Sequence, residues 1–192
     1  RGVFDGRGHA ITWLAINRPG AAGVGLFGAA EGAEIRRVTL QGVSVAGGQM
    51  TGGLVGVQYG GTISDVSVSG SVQGGNEVGG LAGAQYGGAI GGSSSTAGVQ
   101  GASFVGGLVG AQRDGGSVSR SFATGNVTGQ GAVGGLVGEQ LSGEGEAGNS
   151  RITRSYATGA VEGQLGVGGL VGFQAGATSR VEESYATGRV AG

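Results

Sequence analysis

A chain with one histidine and no cysteine has few ways to do chemistry. His9 follows Asp5 in "DGRGH", and the pair could act as metal ligands or as part of an acid–base relay. A Ser-His-Asp triad or a metal cluster would have to recruit that histidine, yet the only other aspartates are Asp65 and Asp114. The simpler reading of "DGRGH" is a turn that orders the start of the fold. Glu139, Glu144 and Glu146 crowd one acidic stretch that could hold a weak ion, and a solvated loop is the simpler reading there too. Calcium-binding rolls need the G-G-x-G-x-D nonapeptide, and "GGNEVGG" lacks the aspartate. Enzymes that cleave or eliminate uronic sugars on a β-helix cluster Asp, Lys and Arg. Here Lys is absent, and Asp65 and Arg120 share a repeat position with Gly92 between them. No catalytic residue, metal or cofactor is expected.

A different chemistry is offered by Phe122, Tyr156 and Tyr185, which recur at one point of three successive repeats beside Thr124, Thr158 and Thr187. Rings pointing outward would form a stripe on which sugars stack, with the threonines bonding to their hydroxyls. Rings pointing inward, or lying along a neighbouring strand, would be packing. Strand alternation with Ala123, Ala157 and Ala186 inward turns the rings outward, although a bulge at a Gly-rich corner would invert that parity. The threonine file continues backward as Thr96, Ser69 and Gln41. It is one file wide, too narrow for the flat arrays of an ice-binding surface.

The element that positions these groups is a repeat, and it organises the whole chain. "VGGLVGEQ" at 133–140 has close copies in "TGGLVGVQ", "VGGLAGAQ", "VGGLVGAQ" and "VGGLVGFQ". The leucines of Gly-Leu-x-Gly are Leu26, Leu54, Leu81, Leu108, Leu136 and Leu170, spaced 28, 27, 27, 28 and 34. The last spacing is long because of an insertion at 141–151, expected to be a protruding loop. Halfway round each unit lies a second motif, "SVSRSFATGNVTG", "RITRSYATGAVEG" and "RVEESYATGRVAG" in the later copies. Apolar residues fall into columns: Ile35, Ile63, Ile90, Val118, Ile152 and Val181 in one, Val72, Val99, Val127, Val161 and Val190 in another. A third column runs from Gly42 and Gly70 to Gly188.

Short alternating runs bounded by Gly and Ser, with no helical period, predict strands and turns. Units of ~27 residues cannot bury a core alone and must stack. The expected fold is all-β: a parallel β-solenoid of six to seven coils, right-handed by analogy with other parallel crossovers. It forms one domain over residues 1–192, with 1–24 as a lead-in coil and 25–192 as the repeats. The glycines of "GGLVG" are expected to take positive φ at a corner or to admit a close neighbour. Gln58, Gln85, Gln112, Gln140 and Gln174 form a further column, whose stacked amides are expected to bond along the axis.

Composition agrees. Glycine supplies 51 of 192 residues, without the triplet period or the proline of collagen. Hydrophobic residues at 38%, recurring on schedule, exclude a structureless chain. A net charge of −1 offers neither a nucleic-acid footprint nor a polybasic membrane patch. No apolar run approaches the ~18 residues of a membrane helix. The first residue, Arg1, reads as the start of a processed or excised piece.

The six Gly-Leu-x-Gly copies, with "SYATG" between the later ones and "FDGRGHAITWLAI" at 4–16 leading in, resemble the GLUG motif family. That resemblance implies a non-catalytic extracellular stalk or adhesive module, secreted or on the bacterial cell surface, as in filamentous-haemagglutinin-like adhesins. It implies as partners a second copy stacked end to end or the rest of a larger surface protein, with host or matrix glycans as further candidates. A glycan-binding or polysaccharide-processing β-helix using the Tyr and Thr stripe is the alternative. Two departures stand out. Ala30 replaces the first Gln, and residues 93–98 replace apolar and aromatic residues with serine, which is expected to weaken stacking there. The last unit stops mid-repeat and neither end shows a cap, so both end coils are expected to present open strand edges.

Overall fold

In the computed structural model, which describes residues 2–143 and 148–192, the chain winds as a parallel β-solenoid of about seven turns, about 28 residues each. One coil shows the plan. Asn76–Gly79 forms a strand, and Gly80 and Leu81 turn the corner into Ala82–Tyr86. Gly87 and Gly88 make the next turn, and three short strands follow: Ala89–Gly91, Ser94–Ser95 and Gly98–Gln100. Every strand pairs in parallel with its equivalents one coil above and below. Three sheets therefore run the length of the rod. The Val-Gly sheet has five strands, the Gln sheet six, and the long sheet collects 17 among the described residues, most of them short, with Glu34–Ala46 and Thr62–Gln73 running unbroken.

The columns are those of the repeat. Ile35, Ile63, Ile90, Val118, Ile152 and Val181 pair in sequence. Leu54, Leu81, Leu108 and Leu136 are fully buried. The Leu81 N–H donates to the Leu108 carbonyl at 2.9 Å, and the same bond recurs from Leu108 to Leu136 and from Leu136 to Leu170. Leu26 and Leu170, in the end coils, are partly buried. The serine-rich stretch does not break the stack. Ser94 and Ser95 pair with Ser67 and Val68 on one side and with Phe122 and Ala123 on the other. Hydrogen bonds between coils are made by backbone, so serine is tolerated wherever its side chain fits. The glycine column does slip once. Register passes from Leu40↔Val68 to Val43↔Gly70, so Gly70 pairs with Val43 and not with the column of Gly42. Gly42 takes up the extra residue at φ +65.

The glycines of "GGLxG" are there for space. A Cβ on the first one would lie 2.1, 2.0, 2.0 and 1.9 Å from the carbonyl oxygen three residues on, at Gly79, Gly106, Gly134 and Gly168. On the second, at Gly107, it would lie 2.2 Å from the Gly135 oxygen and 2.7 Å from the Ala123 Cβ. On the third, at Gly110, it would lie 2.5 Å from the Val78 N, so the Gln sheet rests its backbone directly on the Val-Gly sheet. None of these glycines has positive φ. Most of the non-glycine residues with positive φ instead fall in two files: Met50, Glu77, Phe104 and Ala132 at 49–58°, and Arg37, Asp65, Arg120, Arg154 and Glu183 at 48–54°. Of the two roles the sequence allowed for the motif's glycines, close approach is the one used.

The insertion leaves the ladder undisturbed. Gln140 still pairs with Gln174 and Ser117 with Arg151. Gly143 donates to Gly148 at 3.0 Å. Glu144 and Glu146 lie outside the described residues.

Two measurements check this account. Gly107→Ala is expected to destabilise by about 1–3 kcal/mol through overpacking, while Gly98→Ala, whose Cβ would meet nothing within 4 Å, is neutral or slightly stabilising in thermal melts. Deleting residues 143–148 leaves Ser142, Asn149 and Ser150 to match Asp114, Gly115 and Gly116 of the coil before, and the Tm is expected to change by less than about 2 °C.

Candidate functional site: the faces of the long sheet

Ala123 and Ala157 are buried, and Phe122 and Tyr156 beside them are half-buried with rings outward. The rings form a ladder. Phe122 and Tyr156 stack at 5.0 Å between centroids and 3° between planes, Tyr156 and Tyr185 at 5.3 Å and 8°. These separations nearly equal the strand spacing, so the rings lie on one another along the coil axis. Each pair adds about 0.5–1.5 kcal/mol beyond its burial. The geometry also changes what the stripe can do. Ring faces are occupied by neighbouring rings, and solvent meets mainly edges. Two faces stay open: the outer face of Tyr185, which is 56% exposed, and the face of Phe122 turned toward Ser94. Thr124, Thr158 and Thr187 lie exposed in the next file but one, their hydroxyls making no hydrogen bond with the described residues.

Gln58, Gln85, Gln112 and Gln140 are fully buried, and Gln174 is exposed in the last coil. Their amides do not bond to one another. Gln112 Nε2 donates to the Gly116 carbonyl at 3.0 Å and to the Arg151 carbonyl at 3.2 Å. Gln85 does the same to Gly88 and Ser117, both at 3.3 Å. The expected amide ladder is thus replaced by a latch, which ties the Gln sheet to the turn that follows it and to the next coil. Carbonyls at a sharp turn leave the strand ladder and need donors, and the buried amide is the nearest one. The Oε1 atoms of these four residues have no partner among the described residues.

A second polar file went unread in the sequence. Ser93, Ser121, Ser155 and Ser184 stack inside the long sheet. Ser121 Oγ accepts from the Ser93 N–H at 3.2 Å and donates to the Ser119 carbonyl at 2.8 Å, and the pattern repeats at Ser155 and Ser184. Its only sequence signal was the serine ahead of each aromatic in "SFATG" and "SYATG".

Charged groups pair off across coils. The Asp5 carboxylate accepts from the Arg37 and Arg36 guanidinium groups and from the Arg7 N–H, so it is not free to join His9 as a ligand. The Arg37 bond, then the Arg7 N–H, hold its pKa well below the usual carboxylate range. Arg113 reaches across three coils, to Glu77 at 2.5 Å, Glu139 at 2.7 Å and the Tyr86 hydroxyl at 2.9 Å. Against the penalty of burial, Glu139 and Glu77 raise its pKa above the usual value. Asp65, Gly92 and Arg120 fall in one file, as their neighbours' pairing requires. Among the described residues no group of three His, Asp or Glu side chains could hold a metal ion.

Three stretches, 47–73, 101–128 and 163–191, match the family model described as the GLUG motif. The chain carries GLUG repeats. Each matched stretch is one coil of the solenoid: Gly47 donates to Gln73, Gly101 to Thr128 and Gly163 to Ala191, at 2.9–3.0 Å, so the first residue of each stretch closes on its last. Over 70 residues the chain is 49% identical to halomucin of Haloquadratum walsbyi, a match that covers 36% of this chain and 1% of halomucin. In fold it is similar to a Bacteroides ovatus protein whose crystal structure is described as that of a "putative immunoglobulin A1 protease", with a TM-score of 0.68 and 22% identity. That likeness covers 97% of this chain and 61% of the other, and at this identity it speaks for the fold alone. The GLUG chain thus spans a small part of the first relative and under two thirds of the second.

Ser121→Ala would leave the Ser93 N–H buried without an acceptor, and is expected to destabilise by about 1–3 kcal/mol in urea melts, while exposed Ser71→Ala changes stability by less than about 0.5 kcal/mol.

Proposed function

We propose that this GLUG-repeat chain is a non-catalytic structural and adhesive segment, a stalk module of a larger secreted or cell-surface protein. The observation that carries this reading is the unbroken coil-to-coil register. Each coil bonds only to its neighbours, so length can be added or removed without redesigning a core, which is what a spacer needs. Seven coils at one strand spacing make a rod of roughly 34 Å. The commitment of carboxylates to guanidinium groups supports the non-catalytic part of the reading, as at Asp5, Glu77, Glu139 and Glu183. The match to a stretch of halomucin supports a place in a surface or secreted protein.

The partners this reading assigns lie along the axis. Of the eight large apolar side chains exposed among the described residues, Val3, Phe4 and Trp13 belong to the first coil and Leu165, Phe173, Tyr185 and Val190 to the last. Further coils of the same protein, or a second copy docked end to end, would cover them. Antibodies raised against the chain are expected to label intact cells that make the parent protein, or to find it in the medium, and surface proteolysis should remove the cell-bound signal. Signal that appears only after lysis would refute the reading.

A further inference from the structure

The outer face of the long sheet has a gap that a plain stalk does not need. The aromatic ladder stops at Phe122. The next positions of the same file are Ser94, Ser67 and Thr39. Where further rings would lie there is a shallow groove of 240 Å³, floored by Thr39, Ser67 and Ser94 and by Gln41, Ser69 and Thr96. Phe122 stands one strand spacing beyond Ser94, with Tyr156 on its far side and its near face toward the groove. At the other end Trp13, 80% exposed, lies on Gly42, where a Cβ would come within 3.0 Å of its ring carbons.

The polar groups of this groove are not all engaged. Ser67 Oγ donates to Thr39 Oγ1 at 3.3 Å, and Ser69 Oγ accepts from the Gly42 N–H at 3.1 Å. The side chains of Ser94, Thr96 and Gln41 make no hydrogen bond to the described residues, although Thr96 and Gln41 are exposed beside the aromatic face. No charged side chain lines the groove.

We propose that this groove binds a neutral glycan, with one sugar ring stacked on the open face of Phe122 over Ser94 and its hydroxyls bonded to Ser94, Thr96 and Gln41. A pyranose has the two surfaces this geometry asks for: a C–H face that packs against an aromatic ring, and a rim of hydroxyls that donate and accept. The ladder spacing leaves room for one such ring at the Ser94 step, and three steps of ~4.8 Å accommodate a short oligosaccharide. The uncharged floor disfavours an anionic sugar, whose carboxylate would be desolvated there without a cation. The proposal is independent of the stalk reading, since a rod can carry or lack such a groove.

Native gel electrophoresis of the chain through gels containing mannan, dextran, laminarin or galactomannan tests it, with alginate as the anionic control. At least one neutral polymer is expected to slow the protein at physiological salt. Ser94→Tyr extends the ladder into the groove in a file that already stacks aromatics. It is expected to abolish the retardation while keeping the thermal midpoint. The double variant Gln41→Ala, Thr96→Val alters two exposed side chains without internal bonds, and is expected to weaken the retardation at least about fivefold. The proposal fails if no neutral polymer slows the chain, if only alginate does, or if the retardation survives in both variants.

Discussion

Parallel backbone hydrogen bonds between coils allow one separation, ~4.8 Å, and everything else in this molecule follows from keeping it. A side chain in one coil has its counterpart directly above and below, so a residue that fits once must fit in every coil. The repeat is the chemical record of that demand. The glycines of "GGLxG" answer its harshest part, where backbones of two sheets and of adjacent coils come so close that a Cβ would overlap a carbonyl oxygen at 2.0 Å. Where the constraint is absent the sequence relaxes. The ladder keeps its register on both sides of the insertion, and the coil that carries Gly42 accepts an extra residue.

Polar side chains in the interior serve the same ladder. A strand that ends at a corner leaves backbone donors and acceptors without partners, and in a rod whose every coil passes through three sheets these accumulate. Serine and glutamine meet the need in different ways. Ser121 bridges its own coil and the coil before, as both acceptor and donor. Gln112 spends both amide hydrogens on carbonyls. Such files rigidify the rod where aliphatic residues could not, because each bond has a direction and a fixed partner.

Outside, the same register turns isolated residues into arrays. Stacked rings stabilise one another and close most of their faces, so a long aromatic file is chiefly a staple, and a ring face stays open only where the file stops. Charges behave likewise. Glu77, Arg113 and Glu139 stand 36 and 26 residues apart along the chain and in contact across three coils. A partly buried triad of this kind resists slippage between coils more than an exposed pair such as Arg154 and Glu183 does.

A period of about 27 residues, with leucines, isoleucines and valines recurring in phase, was enough by itself to determine the class of fold, the approximate number of coils and the partners in the apolar columns, because parallel in-register stacking is the one arrangement that lets so short a unit share a core. The same reading placed Phe122, Tyr156 and Tyr185 in one file, and strand alternation with the neighbouring alanines left their direction to be settled by whether a bulge intervenes. Three matters were decided only in the tertiary structure. Whether a glycine is needed for its φ or for its missing Cβ depends on what lies across the coil, and the Val-Gly sheet behind Gly110 is invisible in the sequence. The direction in which a buried amide donates depends on which carbonyls the turn has freed, so Gln112 bonds to Gly116 and Arg151 rather than to Gln85 or Gln140. The open face of Phe122 exists because rings at one strand spacing cover each other and Ser94 does not, a fact of distance that composition and periodicity do not carry.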